Sequence, residues 1–207
     1  MMREGLARLI SQEPDLTVSG EAENAHQALD AIAASLPDLV LADISLPGKN
    51  GLEFIKDVHV MHPGLAVLAI SMHDESFYAE RVLRAGGRGY IMKQEGGKKM
   101  MEAIRQVLSG RVYVSGRMSA QIIDTFSGQR PEGARSQVGR LTDREFEVFQ
   151  LIGEGKGTKE IAARLHISVK TVEVHRVNIK GKLVLKTAPE LIHFAVRWVE
   201  SQPASEK

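Results

Sequence analysis

The sequence of 207 residues contains no cysteine, and this absence excludes several classes of protein. Disulfide-stapled folds, thiolate zinc sites and cysteine nucleophiles all require that residue. No uninterrupted apolar run approaches the roughly 18–20 residues of a membrane span, and the charged N-terminal stretch lacks the features of a signal peptide. These absences predict a cytoplasmic protein with no membrane partner.

The net charge of +1 conceals an asymmetry between the two halves of the chain. Residues 1–110 carry a net charge of −4, whereas residues 111–207 carry +5. Within 156–186 there are 8 basic and 2 acidic residues. An acidic front and a basic back indicate two domains with different partners. On charge alone, the basic domain is equally suited to binding a polyanion and to being a solvated surface.

The front half alternates short apolar runs with amphipathic helical patterns. Strands are predicted at 16–22, 39–43, 66–71 and 89–93. Such alternation is typical of a parallel sheet with helices on both faces, in which ligands lie at the carboxyl ends of the strands. Three successive strands end on Asp43, Ser71 and Lys93, and we expect these side chains to converge.

The back half is predicted to be helical throughout. Thr142 and Glu145 have the spacing of a capping box before one helix, and Thr158 is the predicted cap of the next. A short turn then leads into a helix at 169–183, and a last helix is predicted at 188–200. Two short helices joined by such a turn are typical of a DNA-binding helix-turn-helix.

The helix at 169–183 has one apolar stripe and one mixed face. Val172, Ile179 and Leu183 form the stripe that we expect to be buried. On the mixed face, valines are suited to thymine methyl groups, a glutamate to a cytosine amine, and basic or hydroxyl side chains to phosphates. The candidate DNA contacts are Lys170, Thr171, Glu173, Val174, Arg176, Val177 and Lys180. The alternative is an amphipathic helix whose valines pack elsewhere.

These motifs resemble the NarL/FixJ family of two-component response regulators. LADISLPGKNG is similar to the family's phosphoacceptor loop, and AISMHDE and RAGGRGYIMK are similar to its hydroxyl, aromatic switch and lysine motifs. The run from LTDREFEVF to NIKGKL is similar almost end to end to the LuxR-type helix-turn-helix. The resemblance implies an α/β fold followed by an all-α one. The first is a flavodoxin-like (CheY-like) receiver with a doubly wound parallel sheet that lacks its first strand (1–109). A linker (110–138) and a four-helix LuxR/GerE-type domain (139–203) follow.

The resemblance implies a transcription regulator, not an enzyme. Asp43 would accept a phosphoryl group from a sensor histidine kinase, Ser71 and Lys93 would bind that group, and Tyr90 would change its packing as the switch. Phosphorylation would then control DNA binding and dimerisation. The implied partners are the kinase, double-stranded promoter DNA, a second copy of the chain through the helix at 188–200, and RNA polymerase.

The chain departs from the family pattern at its start, which matches the helix that follows the family's first strand. The acidic pair that would hold Mg²⁺ is absent, so the expected ligands reduce to Asp43 and the backbone carbonyl of Ser45. A misplaced start codon, a trimmed chain or a degenerate receiver would each explain this, and the intact remainder favours the first two. Val184 and Pro189 also depart from the pattern, where a glycine and a non-proline residue are expected.

Two other functions stay open at this point. A degenerate receiver would leave a phosphorylation-independent transcription factor whose front domain serves as a dimerisation or scaffold module. A Mg²⁺-dependent phosphatase of the haloacid-dehalogenase type also uses an aspartate at a strand end. That chemistry needs a second carboxylate two residues later as acid and base, and the position is occupied by Ser45.

Overall fold

The computed structural model describes residues 2–46, 50–126 and 137–201, and the chain divides into two units between Ile123 and Asp124. The helices and strands follow in the order α1 (Met2–Ile10), α2 (Ala25–Ala34), β1 (Leu39–Asp43), α3 (Gly51–Met61), β2 (Ala66–Ser71), α4 (Glu75–Arg84), β3 (Gly89–Met92), α5 (Gly96–Leu108), α6 (Gly116–Phe126), α7 (Asp143–Gly153), α8 (Thr158–Leu165), α9 (Val169–Leu183) and α10 (Ala188–Glu200). None of the described helices is both long and apolar enough to cross a membrane.

A parallel sheet of order β1-β2-β3 forms the centre of the first unit. Asp43 lies beside Ile70, and Ser71 beside Met92, so the three strands end at one edge. The strands predicted at 39–43 and 66–71 are confirmed, and the strand predicted at 89–93 ends one residue earlier. The register therefore brings residues that are distant in sequence to the same edge.

Apolar side chains cover both faces of this sheet. On one face, residues of β2, β3 and α5 form a continuous core of Leu68, Ile70, Ile91, Met100, Met101, Ala103, Ile104 and Val107, against which α1 packs. Buried residues of α3 and α4 contact β1 and β3 on the other face. Burying one such large side chain contributes about 1.5–3 kcal/mol, so both helical layers stabilise the sheet. The predicted doubly wound architecture is confirmed.

The strand predicted at 16–22 is wrong, because these residues form no strand. A strand needs a neighbour for its backbone groups, and within the described residues β1 pairs only with β2. Leu16 packs instead against the core shared by β2 and α5. The first apolar residue of this segment is therefore partly buried without strand pairing.

Aromatic rings join α7 to α10 in the second unit. Trp198 packs edge-on against Phe146 and Phe149, with ring centroids 5.6 Å and 5.4 Å apart. Such aromatic pairs add about 0.5–1.5 kcal/mol beyond their burial. Leu191 and Ala195 of α10 are also fully buried, whereas Ile192 is exposed.

The helix ends in this unit agree only partly with the predictions. The capping box of Thr142 and Glu145 is present, as predicted, and Pro189 lies in the first turn of α10. Thr158 is not the cap of α8, because Gly157 occupies that position without a side-chain hydrogen bond. Thr158 is the first helical residue, and its hydroxyl points to α9.

Part of the linker predicted at 110–138 is structured. Helix α6 occupies 116–126, and Val138 is buried. Residues 127–136, and residues 47–49 of the turn after β1, lie outside the described residues. The described part of the linker therefore belongs to the first unit as far as Ile123 and to the second unit from Asp124 onward.

Val184 ends α9 with φ 58° and ψ 39°, a left-handed conformation that is strained for a β-branched residue. Its side chain is 82% exposed, so burial does not offset the strain. We expect Val184→Gly to raise the free energy of unfolding of the second unit by about 1 kcal/mol. Urea unfolding followed by the fluorescence of Trp198, the one tryptophan, measures this change. Val184→Ala keeps a Cβ and is the control; a glycine variant no more stable than wild type would contradict the prediction.

Candidate functional site

Two oppositely charged side chains meet at the carboxyl edge of the sheet. Lys93 Nζ lies 2.5 Å from Asp43 Oδ2. Asp43 Oδ1 accepts a hydrogen bond of 2.9 Å from the backbone N–H of Ser45. The Asp43 side chain is 35% exposed and that of Lys93 12%. A solvent-accessible carboxylate is therefore held in place by a backbone amide and a largely buried ammonium group.

Ser71 and Tyr90 are buried behind this ion pair. Ser71 Oγ accepts a hydrogen bond of 3.1 Å from the backbone N–H of His73, and the Tyr90 hydroxyl donates one of 2.7 Å to the His73 carbonyl. Burial raises the pKa of Tyr90 far above its ordinary value, so the hydroxyl stays protonated and can donate. All four residues predicted for this site lie at the carboxyl edge of the sheet, with the Tyr90 side chain inside the protein.

Two residues of this region were missed in the sequence. His73 Nε2 lies 3.5 Å from Ser45 Oγ, and the His73 ring packs against Tyr78. Gly51 begins α3 so close to β1 that a Cβ would lie 2.5 Å from the Asp43 carbonyl oxygen. The signal for Gly51 was its place after Asn50, whose side chain caps α3. No local pattern indicates the His73 contact, because it depends on two loops meeting.

The residues predicted to bind Mg²⁺ do not fit that ion by themselves. Mg²⁺ prefers six oxygen ligands in octahedral geometry. Asp43 and the Ser45 carbonyl would provide two protein ligands, and both carboxylate oxygens already have partners. Residues 2–46, 50–126 and 137–201 contain no group of three or more His, Cys, Asp or Glu side chains that could hold a metal.

In the second unit, α9 exposes the face predicted to contact DNA. Val172, Ile179 and Leu183 are buried, as expected. Val174 and Val177 are 51% and 61% exposed. Among the other candidates, Lys170 and Glu173 are exposed, and Thr171, Arg176 and Lys180 are half-buried. The side chains of both valines are therefore not covered by any other part of the described chain.

Three of the predicted contacts also form hydrogen bonds within the protein. Thr158 Oγ1 donates to Glu173 Oε1 at 3.0 Å and accepts from Arg176 Nη1 at 3.4 Å. The hydroxyls of Thr171 and Ser168 lie 2.7 Å apart at the start of α9. These contacts fix the helix-turn-helix geometry and hold Glu173 toward α8.

The inner side of α9 carries an ion pair and the half-buried imidazole of His175. Lys182 Nζ lies 2.6 Å from Glu145 Oε2. Burial raises the pKa of Glu145, but hydrogen bonds from Lys182 and Thr142 outweigh it and lower the pKa overall. Burial, together with the charge of Arg144, lowers the pKa of His175, which favours its neutral form. These contacts attach α9 to the start of α7.

Comparisons with known proteins agree with this arrangement. The family model "Response regulator receiver domain" matches residues 1–105, and "Bacterial regulatory proteins, luxR family" matches residues 139–195. The chain is 32% identical over 201 residues to Oxygen regulatory protein NreC of Staphylococcus carnosus, covering 95% of this chain and 93% of the relative. NreC of Staphylococcus aureus is 33% identical over the same length. The chain belongs to the NarL/FixJ family of two-component response regulators. It combines a receiver domain with a LuxR-type helix-turn-helix domain, as predicted.

Solved structures of response regulators share the fold. A LuxR-family response regulator from Aurantimonas is 30% identical with a TM-score of 0.56, covering 61% of this chain and 90% of that one. RcsB from Salmonella enterica serovar Typhimurium, bound to promoter rprA in the presence of the phosphomimetic BeF₃⁻, has a TM-score of 0.60 at 21% identity. It covers 94% of this chain and 92% of its own. At that identity the likeness supports the fold alone.

Gly51 allows α3 to begin directly against the backbone that carries Asp43. We expect Gly51→Ala to destabilise the receiver by about 1–3 kcal/mol, because the added methyl group overlaps the backbone of Asp43 and Ile44. Urea unfolding followed by far-UV circular dichroism measures the loss. Gly64→Ala is the matched control, since its methyl group would meet no atom within 4 Å. Equal effects of the two variants would contradict the prediction.

Proposed function

We propose that this response regulator accepts a phosphoryl group on Asp43 from a sensor histidine kinase and that the modification controls its binding to promoter DNA. The observation that carries the proposal is the contact of 2.5 Å between Lys93 and the half-exposed Asp43 carboxylate, beside Ser71. A carboxylate, an ammonium and a hydroxyl at one edge of the sheet supply a nucleophile and two groups that bind a phosphoryl group.

The reaction is a transfer between two protein side chains. A carboxylate oxygen of Asp43 attacks the phosphorus of a phosphohistidine in the kinase, the P–O bond forms and the P–N bond breaks. The Lys93 ammonium then pairs with the phosphoryl oxygens, and the Ser71 hydroxyl donates a hydrogen bond to them. Because phosphoryl transfer depends mainly on positioning and charge stabilisation, these residues need only hold their geometry.

The second unit is the proposed DNA-binding part. RcsB, which shares the fold, has been solved bound to a promoter and as two dimers on two DNAs. We infer that α9 enters the major groove, where Val174 and Val177 contact thymine methyl groups and Lys170 and Lys180 contact phosphates. A homodimer through the exposed side of α10, which includes Ile192, would place two such helices on paired half-sites. A protein with these partners acts in the cytoplasm.

Phosphorylation is tested by intact mass spectrometry of the full chain after incubation with acetyl phosphate, with Mg²⁺ and with a chelator. We expect one phosphoryl adduct, because acetyl phosphate supplies the same group as a kinase. We expect Asp43→Asn to lose the adduct and Asp74→Asn to keep it, since Asp74 caps α4. Circular dichroism of each variant shows that it is folded.

The absence of an adduct from the folded wild type in both arms would contradict phosphorylation of Asp43. That outcome would support a regulator whose receiver is a dimerisation or scaffold module. An adduct that persists in Asp43→Asn would assign the phosphoryl group to another residue.

DNA binding is tested with the full chain and a duplex of mixed sequence at several salt concentrations. Lys170 is exposed on α9, so we expect Lys170→Ala to weaken binding and to reduce the slope of log affinity against log salt by about 1. Lys98→Ala, an exposed lysine of α5 in the receiver, is the control. Identical salt slopes for wild type and Lys170→Ala would remove Lys170 from the interface.

A further inference from the structure

Residues 111–118, which follow α5, form a short segment that we call the strap. Tyr113 in its middle makes a parallel bridge to Gly89 of β3. The Tyr113 N–H donates to the Arg88 carbonyl at 3.0 Å, and the Tyr90 N–H donates to the Tyr113 carbonyl at 2.9 Å. A Cβ on Gly89 would lie 2.8 Å from the Tyr113 oxygen, so this approach requires glycine. The strap thus covers the outer edge of β3.

The strap is also attached to the start of α4. The Ser115 N–H donates to Glu75 Oε1 at 2.6 Å, and Ser115 Oγ accepts from the N–H of Met118 at 3.1 Å. Arg117 Nη2 lies 3.7 Å from Asp74 Oδ1, and the Met118 side chain is buried. The Glu75 carboxylate therefore holds Ser115, the residue directly before α6, and the Asp74 carboxylate lies beside the first turn of α6.

The anchors of the strap are the neighbours of the phosphoacceptor site. Tyr90 bonds the strap through its backbone and the His73 carbonyl through its hydroxyl. The His73 N–H bonds Ser71 Oγ, and His73 directly precedes Asp74 and Glu75. The contacts thus run from the site beside Asp43 to the start of α6 without a gap. Helix α6 is the last described element before the DNA-binding domain in sequence.

We propose that the strap is the element that reads the state of Asp43, with Glu75 as the positioning residue that holds it in the unphosphorylated chain. This inference rests on the proposed phosphorylation of Asp43. A phosphoryl group there accepts a hydrogen bond from the Ser71 hydroxyl and draws Ser71 Oγ away from the His73 N–H, which shifts the loop 71–75 and with it the carboxylates that hold Ser115 and Arg117. The strap then loosens and α6 is released from α4.

The test is hydrogen exchange of the full chain, read on peptides that span 111–118. Aliquots of each sample are analysed by intact mass to count phosphoryl groups. We expect Glu75→Ala to speed the exchange of the Ser115 amide about tenfold without acetyl phosphate, the effect of losing about 1.4 kcal/mol of hydrogen bonding. Phosphorylated wild type should show a similar increase. Glu75→Gln, which keeps an acceptor oxygen, should lie between.

The matched control is Glu80→Ala, on the same helix, because Glu80 pairs with Arg84 and does not touch the strap. It should exchange like wild type. A wild-type sample that carries the adduct but exchanges at the unphosphorylated rate would overturn the inference. Exchange in Glu75→Ala equal to that in Glu80→Ala would also overturn it.

If the wild type takes no phosphoryl group, the proposed function fails. The coupling between the site and the strap is then tested with Tyr90→Phe. This variant loses only the hydroxyl that joins Tyr90 to His73. Faster exchange at 111–118 in this variant supports the coupling between the site and the strap. Unchanged exchange overturns it.

Discussion

The ion pair between Asp43 and Lys93 depends on one constraint, the in-register parallel pairing of three strands that end at the same edge. Without that pairing, a carboxylate and an ammonium 50 residues apart in sequence would have no reason to meet. The helices packed on both faces maintain the register, because a shift by one residue would exchange the side chains that face the two helical layers and disrupt their packing. The contact between Asp43 and Lys93 is therefore a consequence of the packing of the receiver core.

The DNA-binding domain depends on a different kind of packing. Trp198 of α10 packs against α7. Lys182 and the buried stripe of α9 attach α9 to α7. With its inner side fixed in this way, α9 can leave two valines uncovered among basic residues. The proposed contact with thymine methyl groups in the major groove would cover these two side chains.

The features that differ from the sequence-based expectations share a physical origin. Residues 16–22 have the alternation of a strand, but a strand also requires a partner, which local pattern does not supply. Thr158 has the residue type of a cap, yet a side chain in α9 competes for its hydroxyl. Val184 adopts a left-handed conformation because the end of α9 demands it, whatever residue occupies the position. In each case a long-range contact or a chain reversal overrides the local preference.

The sequence by itself determined the domain order, most strands and helices, the capping box, the buried stripe of α9 and the convergence of Asp43, Ser71 and Lys93 at one edge of the sheet. These follow from periodicity, turn chemistry and motif spacing, all of which are local. Only the tertiary structure decided that Tyr90 lies inside and bonds His73, that Gly51 must be a glycine, and that residues 111–118 bond both β3 and α4. Those features arise where segments distant in sequence come within hydrogen-bonding or van der Waals distance, and local pattern does not encode that proximity.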